Sequence, residues 1–134
     1  MILPQMDADK RRSELNEITE KIIGCVYTVS NALGCGFLEK VYENALAHEL
    51  RKTGLTIGQQ HVIEVRYDNV VVGDFAADLL VEECVLVELK TAKALDDAHM
   101  AQCLNYLKAT GLHICLPVNF GKSKVEIKRI VLDF

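Results

Sequence analysis

The first fifty residues of the chain place apolar side chains in steps of three and four, a spacing typical of amphipathic helices. Between Ser13 and Leu33 the pattern predicts a strong helix, and Gly34 and Gly36 end it because glycine is favoured at helix C-termini. A second helix is predicted from Leu38 to Lys52. The apolar positions of the first helix are Leu15, Ile18, Ile22, Val26, Val29 and Leu33.

The rest of the chain predicts strands, interrupted by one more helix. Strand-like segments cover Val62–Tyr67, Val70–Val72, Phe75–Val81 and Val85–Lys90, and later His113–Asn119 and Val125–Leu132. Between these two groups the pattern predicts a third helix from Asp96 to near Gly111. The fourth strand, this helix and the fifth strand predict a right-handed parallel crossover. The order of elements therefore predicts an α/β (α+β) fold, with a mixed sheet flanked by helices.

Two consecutive strands of this prediction carry charged residues inside continuous apolar runs. Asp78 lies in the third strand, and Glu88 and Lys90 lie in the fourth. Such runs are typical of strands buried on both faces, where an isolated ion is costly and needs a partner or a metal. The Glu82-Glu83 pair predicts a hairpin turn that brings Asp78 beside Glu88. Glu88 and Lys90 share a face because they are two residues apart.

Spacing alone leaves two interpretations of these three residues with about equal weight. In the first, the carboxylates hold a divalent cation such as Mg²⁺, which typically takes one or two carboxylates and keeps several waters. The backbone carbonyl of Leu89 would add a third oxygen, and Lys90 would orient or deprotonate a water or stabilise charge on a phosphate. In the second, Lys90 neutralises either acid in a structural salt bridge.

Polar residues on two helices are candidates for the same site. Gln102 and Tyr106 lie four apart on one face of the third helix, which follows directly from the strand of Lys90. Gln102 would orient a water or a nucleic-acid backbone, and Tyr106 would contact a phosphate or stack on a base. Taken alone, core packing of Tyr106 with Gln102 at its rim is the simpler interpretation.

Glu39 and Tyr42 follow the two glycines and lie three apart on the second helix. Glu39 is a candidate for a further metal ligand. The alternative for Glu39 is an acid that the helix dipole favours at a helix start, and for Tyr42 it is core packing.

Composition narrows the class of protein. The chain has 134 residues, of which 50% are hydrophobic and 25% charged, which is typical of one soluble globular domain. We expect a disordered leader over residues 1–12 and a single domain over residues 13–134. No apolar run reaches the roughly 20 residues that span a membrane. Five scattered cysteines without a Cys-x-x-Cys spacing favour a reducing cytoplasm and argue against a zinc site.

A net charge of −4 argues against a large, sequence-independent nucleic-acid surface, which normally shows a basic excess. It leaves room for a small basic groove, since acidic metal ligands themselves lower the total. The four histidines show no ligand spacing.

Several spaced motifs resemble a known family. Residues 36–42 read Gly-x-x-Glu-x-x-Tyr, the motif of the GxxExxY family, which is similar to the PD-(D/E)XK nuclease superfamily. The resemblance covers about residues 13–134, and the agreement of several motifs makes it more specific than any one of them. The other matching segments are Tyr42–Leu46, Ala77–Val81, Val87–Lys90, Ala101–Lys108, Asn119–Gly121 and Ile127–Ile130.

The resemblance implies a restriction-endonuclease-like core and roles for individual residues. Asp78 and Glu88 become metal ligands, Lys90 the catalytic lysine, and Glu39 an acid supplied by the helical segment. Two further residues, Gln102 and Tyr106, match the Gln-x-x-x-Tyr motif of the RecB-like branch of these nucleases.

The sequence thus favours a nuclease that depends on Mg²⁺ or Mn²⁺ and hydrolyses phosphodiester bonds of DNA or RNA through a metal-activated water. The alternative is a catalytically silent module on the same fold that binds nucleic acid or another protein. A homo-oligomer is plausible for so small a chain, because it would enlarge the binding surface.

Overall fold

The computed structural model describes residues 4–134, with side chains from Ala8 onward. Its helices are α1 (Pro4–Leu33), α2 (Glu39–Lys52) and α3 (Asp97–Thr110). Its strands are β1 (Ile57–Tyr67), β2 (Val70–Val81), β3 (Val85–Lys90), β4 (Ile114–Asn119), β5 (Glu126–Ile127) and β6 (Ile130–Val131). The first three residues of the expected leader lie outside the described residues, and from Pro4 onward that segment belongs to α1.

The strands form one mixed sheet in the order β1-β2-β3-β4-β5, with β6 also paired to β4. The neighbours β1 and β2 are antiparallel, as are β2 and β3, whereas β3 and β4 are parallel and joined through α3. Helix α3 begins at the N-cap Asp96, whose side chain accepts the His99 N–H, and ends at Gly111 in the left-handed conformation. The predicted mixed sheet flanked by helices is confirmed.

Two hydrophobic clusters, one on each face of the sheet, hold the layers together. Helices α1 and α2 pack on one face through side chains such as Val26 and Leu46, which meet Leu79 and Val87 of the sheet. Helix α3 covers the other face with Cys103, Tyr106 and Leu107, which meet Ala77, Leu86 and Cys115. No helix among residues 4–134 is long and apolar enough to cross a bilayer.

Three strands differ from the predicted ones. Strand β1 begins at Ile57 and not at the predicted Val62. The separate strands predicted at residues 70–72 and 75–81 form the single strand β2, because Gly73 and Asp74 keep their pairing to β1. The predicted strand over residues 125–132 is instead divided into β5 and β6. Both short strands pair with β4 in the same register. The gap between them lies opposite Pro117, which has no N–H to donate to a neighbouring strand.

Candidate active site

The turn between β2 and β3 brings the two predicted acids together. Glu82 and Glu83 form this turn with positive φ angles of 51° and 57°, and β2 and β3 pair on both sides of it. The Asp78 N–H donates to Glu88 Oε1 at 2.9 Å, and the Leu89 N–H donates to Asp78 Oδ2 at 2.7 Å. Each carboxylate thus accepts a backbone N–H of the opposite strand, which fixes the two acids side by side.

An irregularity in the β1–β2 ladder sets the position of Asp78. The register is kept on both sides of Gln60 and Asp78, but these two residues do not pair with each other. Gln60 has a φ of +53°, a conformation that costs roughly 1–2 kcal/mol for a residue with a Cβ. Ala77 packs against the α3 cluster and Leu79 against the α1–α2 cluster, although alternate residues of a regular strand share a face. The side chains of β2 therefore change from one face of the sheet to the other at Asp78.

A buried acid of α2, Glu43, belongs to this site and was not among the predicted site residues. Glu43 is 3% exposed and accepts hydrogen bonds from Gln59 Nε2 at 2.7 Å, Gln60 Nε2 at 2.7 Å and Lys40 Nζ at 3.0 Å. Gln60 Nε2 also donates to Asp78 Oδ1 at 3.1 Å. Burial opposes ionisation of Glu43, but the hydrogen bonds from Gln59, Lys40 and Gln60 lower its pKa. One amide group thus connects the charged Glu43 to Asp78.

The sequence carried a signal for Glu43. It lies on the buried stripe of α2, three residues before Leu46 and seven before Leu50, and an acid on such a stripe needs a specific partner. Glu39, the predicted acid of this helix, is the exposed first residue of α2. Its charge still raises the pKa of Glu88, so Glu39 lies within electrostatic range of the site.

Tyr42, the last residue of the Gly-x-x-Glu-x-x-Tyr motif, is part of the core. It is fully buried and stacks on Phe120 with ring centroids 4.5 Å apart. Its hydroxyl donates to the Gly34 carbonyl at 2.6 Å and accepts the Phe37 N–H at 3.2 Å. The tyrosine therefore fastens the glycine-containing loop that precedes α2.

A chain of hydrogen bonds extends from the acids to α3. Lys90 Nζ lies 3.9 Å from Glu88 Oε2 and donates to Gln102 Oε1 at 2.9 Å. Gln102 Nε2 in turn donates to the Tyr106 hydroxyl at 3.1 Å. Because this hydroxyl accepts from Gln102, its own proton is directed elsewhere and is available to a ligand. The structure thus brings together Asp78, Glu88, Lys90, Gln102 and Tyr106.

Burial and, after it, neighbouring negative charge raise the pKa values of two groups of the cluster. Burial and the neighbouring charge of Asp78 raise the pKa of Glu88 to about 7, although the Asp78 N–H and Lys90 act in the opposite direction. Burial and the charge of Glu88 raise the pKa of Tyr106 to about 12. At neutral pH the site therefore holds a protonated tyrosine beside a carboxylate that is only partly ionised.

The residues present fit a hard divalent cation. Two adjacent carboxylates are a typical protein contribution to a Mg²⁺ site, in which waters complete the coordination. The mutual repulsion that raises the pKa of Glu88 is relieved by a cation placed between the acids. Within the described part of the chain, no three His, Cys, Asp or Glu side chains are arranged to hold a metal ion. Ligation by Glu39 and by the Leu89 carbonyl stays a prediction.

Comparisons with known proteins match this chain to one family and to two solved structures. The family model of the PD-(D/E)XK nuclease superfamily matches residues 16–130. An alkaline exonuclease from Laribacter hongkongensis (LHK-Exo) has a similar solved structure, with a TM-score of 0.53 and 17% identity over 70% of this chain and 56% of the exonuclease. A protein named SSO0001 also has a TM-score of 0.53, with 16% identity over 93% of this chain and 62% of SSO0001.

These likenesses to solved structures show a shared fold. This chain spans less than two thirds of the length of either protein. No curated protein gives a significant match to the sequence. The narrower GxxExxY grouping stays a prediction.

Proposed function

Since this chain belongs to the PD-(D/E)XK nuclease superfamily, we propose that it hydrolyses phosphodiester bonds of DNA or RNA with the help of a divalent cation. The observation that carries the proposal is the convergence of two carboxylates and a lysine from β2 and β3. Asp78 and Glu88 are fixed by each other's strands, and Lys90 lies 3.9 Å from Glu88. A structural salt bridge alone would not need the second acid, whose charge raises the pKa of its neighbour.

Asp78 and Glu88 would hold the cation, either Mg²⁺ or Mn²⁺. When bound, such a cation polarises a phosphoryl oxygen and increases the acidity of a water. The backbone N–H groups that donate to both carboxylates keep the acids from rotating away. Glu43 supports Asp78 through Gln60.

The polar chain on the α3 side would act on the phosphate and on the attacking water. Lys90 is placed to orient a water or to stabilise the negative charge that develops on the phosphate. Gln102 holds the lysine ammonium with its oxygen, which fixes the direction of the remaining ammonium protons. Tyr106 stays protonated because its pKa is raised to about 12, so it can donate to a phosphate oxygen.

Cleavage assays with substitutions of Lys90 test the enzymatic proposal. We expect the purified chain to cut single-stranded or duplex DNA, or RNA, when Mg²⁺ or Mn²⁺ is added. Lys90→Ala should lower the rate at least about 100-fold, as expected for loss of a charge that stabilises the transition state. The exposed Lys124 provides a matched control, since Lys124→Ala should cut like the wild type. Equal cleavage by Lys90→Ala and wild type would refute the mechanism.

Calorimetric titration with Mn²⁺ tests the metal site separately from cleavage. The wild type should bind saturably, and Asp78→Asn should lose most of this binding. We expect Glu43→Gln to weaken binding more than Glu39→Gln, because Glu43 is buried and linked to Asp78. If wild type and Asp78→Asn respond alike and neither cuts, the chain is a catalytically silent binding module.

A cytoplasmic location and a homo-oligomer complete the proposal. All five cysteines carry free thiols, which suits a reducing compartment. Exposed apolar side chains on the β1–β2 hairpin, among them Val62 and Val70, would suit a contact between two copies. Light scattering should give twice the monomer mass if this contact forms.

A further inference from the structure

A groove of about 870 Å³ lies between the β1–β2 hairpin and α3 and adjoins the candidate active site. Gln102 and Tyr106 belong both to the groove wall and to the hydrogen-bond chain that begins at Lys90. Along the rest of the helical wall the small residues Ala98 and Ala101 leave space. A ligand that reaches the acids from this side therefore passes through the groove.

The hairpin wall of the groove presents an aromatic ring. Phe75 lines the groove and is 51% exposed, an unusual exposure for a large apolar side chain that faces a concave surface. Its ring centroid lies 5.9 Å from that of Tyr106, with the planes tilted by 44°. At this distance the two rings are in contact. The exposed side of Phe75 is therefore the aromatic face on which a flat ligand can stack.

Two positively charged residues and one acid, Glu64, line the same groove. Arg66 comes from the hairpin and Lys108 from α3. Arg66 lies 3.2 Å from Glu64, but both side chains are about half exposed, and such a pair contributes little energy. Arg66 can therefore exchange this partner for a phosphate. In a chain of net charge −4, two cations beside an aromatic face are a local match to a nucleotide.

We infer that this groove binds the base of an unpaired nucleotide next to the phosphate at Lys90, so that single-stranded nucleic acid is the preferred substrate. The inference rests on the proposed nuclease function and adds the substrate class. The groove has the volume of a small-molecule pocket, which suits one or two nucleotides. A continuous duplex keeps its bases stacked inside and cannot place one on Phe75 without unpairing it.

Binding measurements on the full chain in buffer with EDTA, which removes the cation that the proposed cleavage needs, test the inference. The probes are a fluorescein-labelled oligothymidylate of about 12 nucleotides and a blunt duplex of equal length. Fluorescence anisotropy should show tighter binding of the single strand. Phe75→Ala should weaken that binding about tenfold, and Ala101→Trp, which fills the groove, should weaken it at least as much. Val131→Ala, at an exposed position of β6 outside the groove lining, should leave it unchanged.

The outcomes separate this inference from the nuclease proposal. Equal affinity for single strand and duplex, with no effect of Phe75→Ala or Ala101→Trp in folded variants, would overturn the groove inference even if the wild type cuts DNA. Binding of the single strand that depends on Phe75 without any cleavage would support the groove and refute the enzyme. If no oligonucleotide binds and Phe75→Ala instead changes the oligomeric state, the groove is a protein interface and the inference is wrong.

Discussion

Two polar clusters lie at the carboxyl ends of the neighbouring parallel strands β3 and β4, and they differ in how their charges are satisfied. Lys90 and Asn119 are register partners at these ends. The Asn119 side chain is fully buried; its Oδ1 accepts N–H groups of Ala92 and Gly121, and its Nδ2 donates to the Ala92 carbonyl, each at 2.9 Å. The centre of this cluster is a neutral amide, which holds two loops together and also donates from Nδ2 to Glu126 Oε1 at 3.4 Å.

The acid–lysine cluster next to it is equally well hydrogen-bonded but electrostatically unbalanced. No buried side-chain nitrogen or oxygen lacks a partner in the described part of the chain, so the cost at Glu88 is not a missing hydrogen bond. The cost comes from burial and from Asp78, and it appears as a raised pKa. The difference teaches that hydrogen bonds alone do not separate a structural cluster from a functional one. The unbalanced charge separates the two clusters, because the proposed cation would be attracted to it.

The largest effect on stability is expected at Gly121, where the two loops joined by Asn119 approach each other closely. A Cβ on Gly121 would lie 2.5 Å from the Ala92 carbonyl oxygen and 2.7 Å from the Thr91 carbonyl carbon, so the backbone must shift. We expect Gly121→Ala to lower the free energy of unfolding by about 3 kcal/mol or more. Gly58→Ala, where a Cβ meets nothing within 4 Å, is the matched control in urea unfolding. Similar stabilities of the two variants would show that the loops are not tightly held.

The next largest loss of stability is expected from substitution of Asn119, whose side-chain amide joins the two loops. Asn119→Ala leaves the Ala92 N–H and carbonyl without their side-chain partner in a buried place. We expect a loss of about 2–3 kcal/mol in the free energy of unfolding. The control is Asn31→Ala, at an exposed position of α1. If Asn119→Ala unfolds at the same urea concentration as wild type, the cluster is not structural.

Substitution of Glu88 should instead raise the stability of the protein, because the charged carboxylate destabilises the folded state. Its pKa is raised from 4.5 to about 7 in the folded protein, so the folded state holds the proton more tightly than the unfolded chain. Stability is therefore lost as the pH rises between these two values, by about 3 kcal/mol. In metal-free buffer, Glu88→Gln should be more stable than wild type by about this amount near pH 8, and equal to it near pH 4.

Divalent cation should reverse this order, since it stabilises the wild-type acids and not the amide variant. Thermal unfolding at both pH values, with and without Mg²⁺, gives the comparison. The exposed Glu20 on α1 supplies the control substitution Glu20→Gln. A Glu88→Gln variant that is less stable than wild type near pH 8 in metal-free buffer would show that the carboxylate is structural after all.

The smallest effect on stability is expected at Tyr106. The hydroxyl accepts one hydrogen bond from Gln102, so Tyr106→Phe should change the free energy of unfolding by about 1 kcal/mol or less. If the hydroxyl donates to the substrate phosphate, kcat/KM for cleavage should nevertheless fall about tenfold. Unchanged kcat/KM would place this residue among the packing residues of α3.

Much of the site could be predicted from the sequence because its members are close along the chain or lie on one periodic face. Asp78 and Glu88 are connected by a short turn, Lys90 follows two residues later, and the four-residue spacing of Gln102 and Tyr106 places them together on α3. The parts that were not predicted depend on long-range contacts. Glu43 reaches Asp78 only through Gln60, a residue in an unfavourable conformation that no local pattern indicates.

By itself, the sequence determined the three helices, the mixed sheet and the hairpin turn that joins the two acids, since apolar periodicity and turn residues act over a few positions. Only the tertiary structure decided that the side chains of β2 change face at Asp78, that the last strand is divided in two opposite Pro117, and that Gln60 links Glu43 to Asp78. It also decided the charge state of Glu88. Burial and the distances between charges arise when the layers pack, and the pattern of a single element does not contain them.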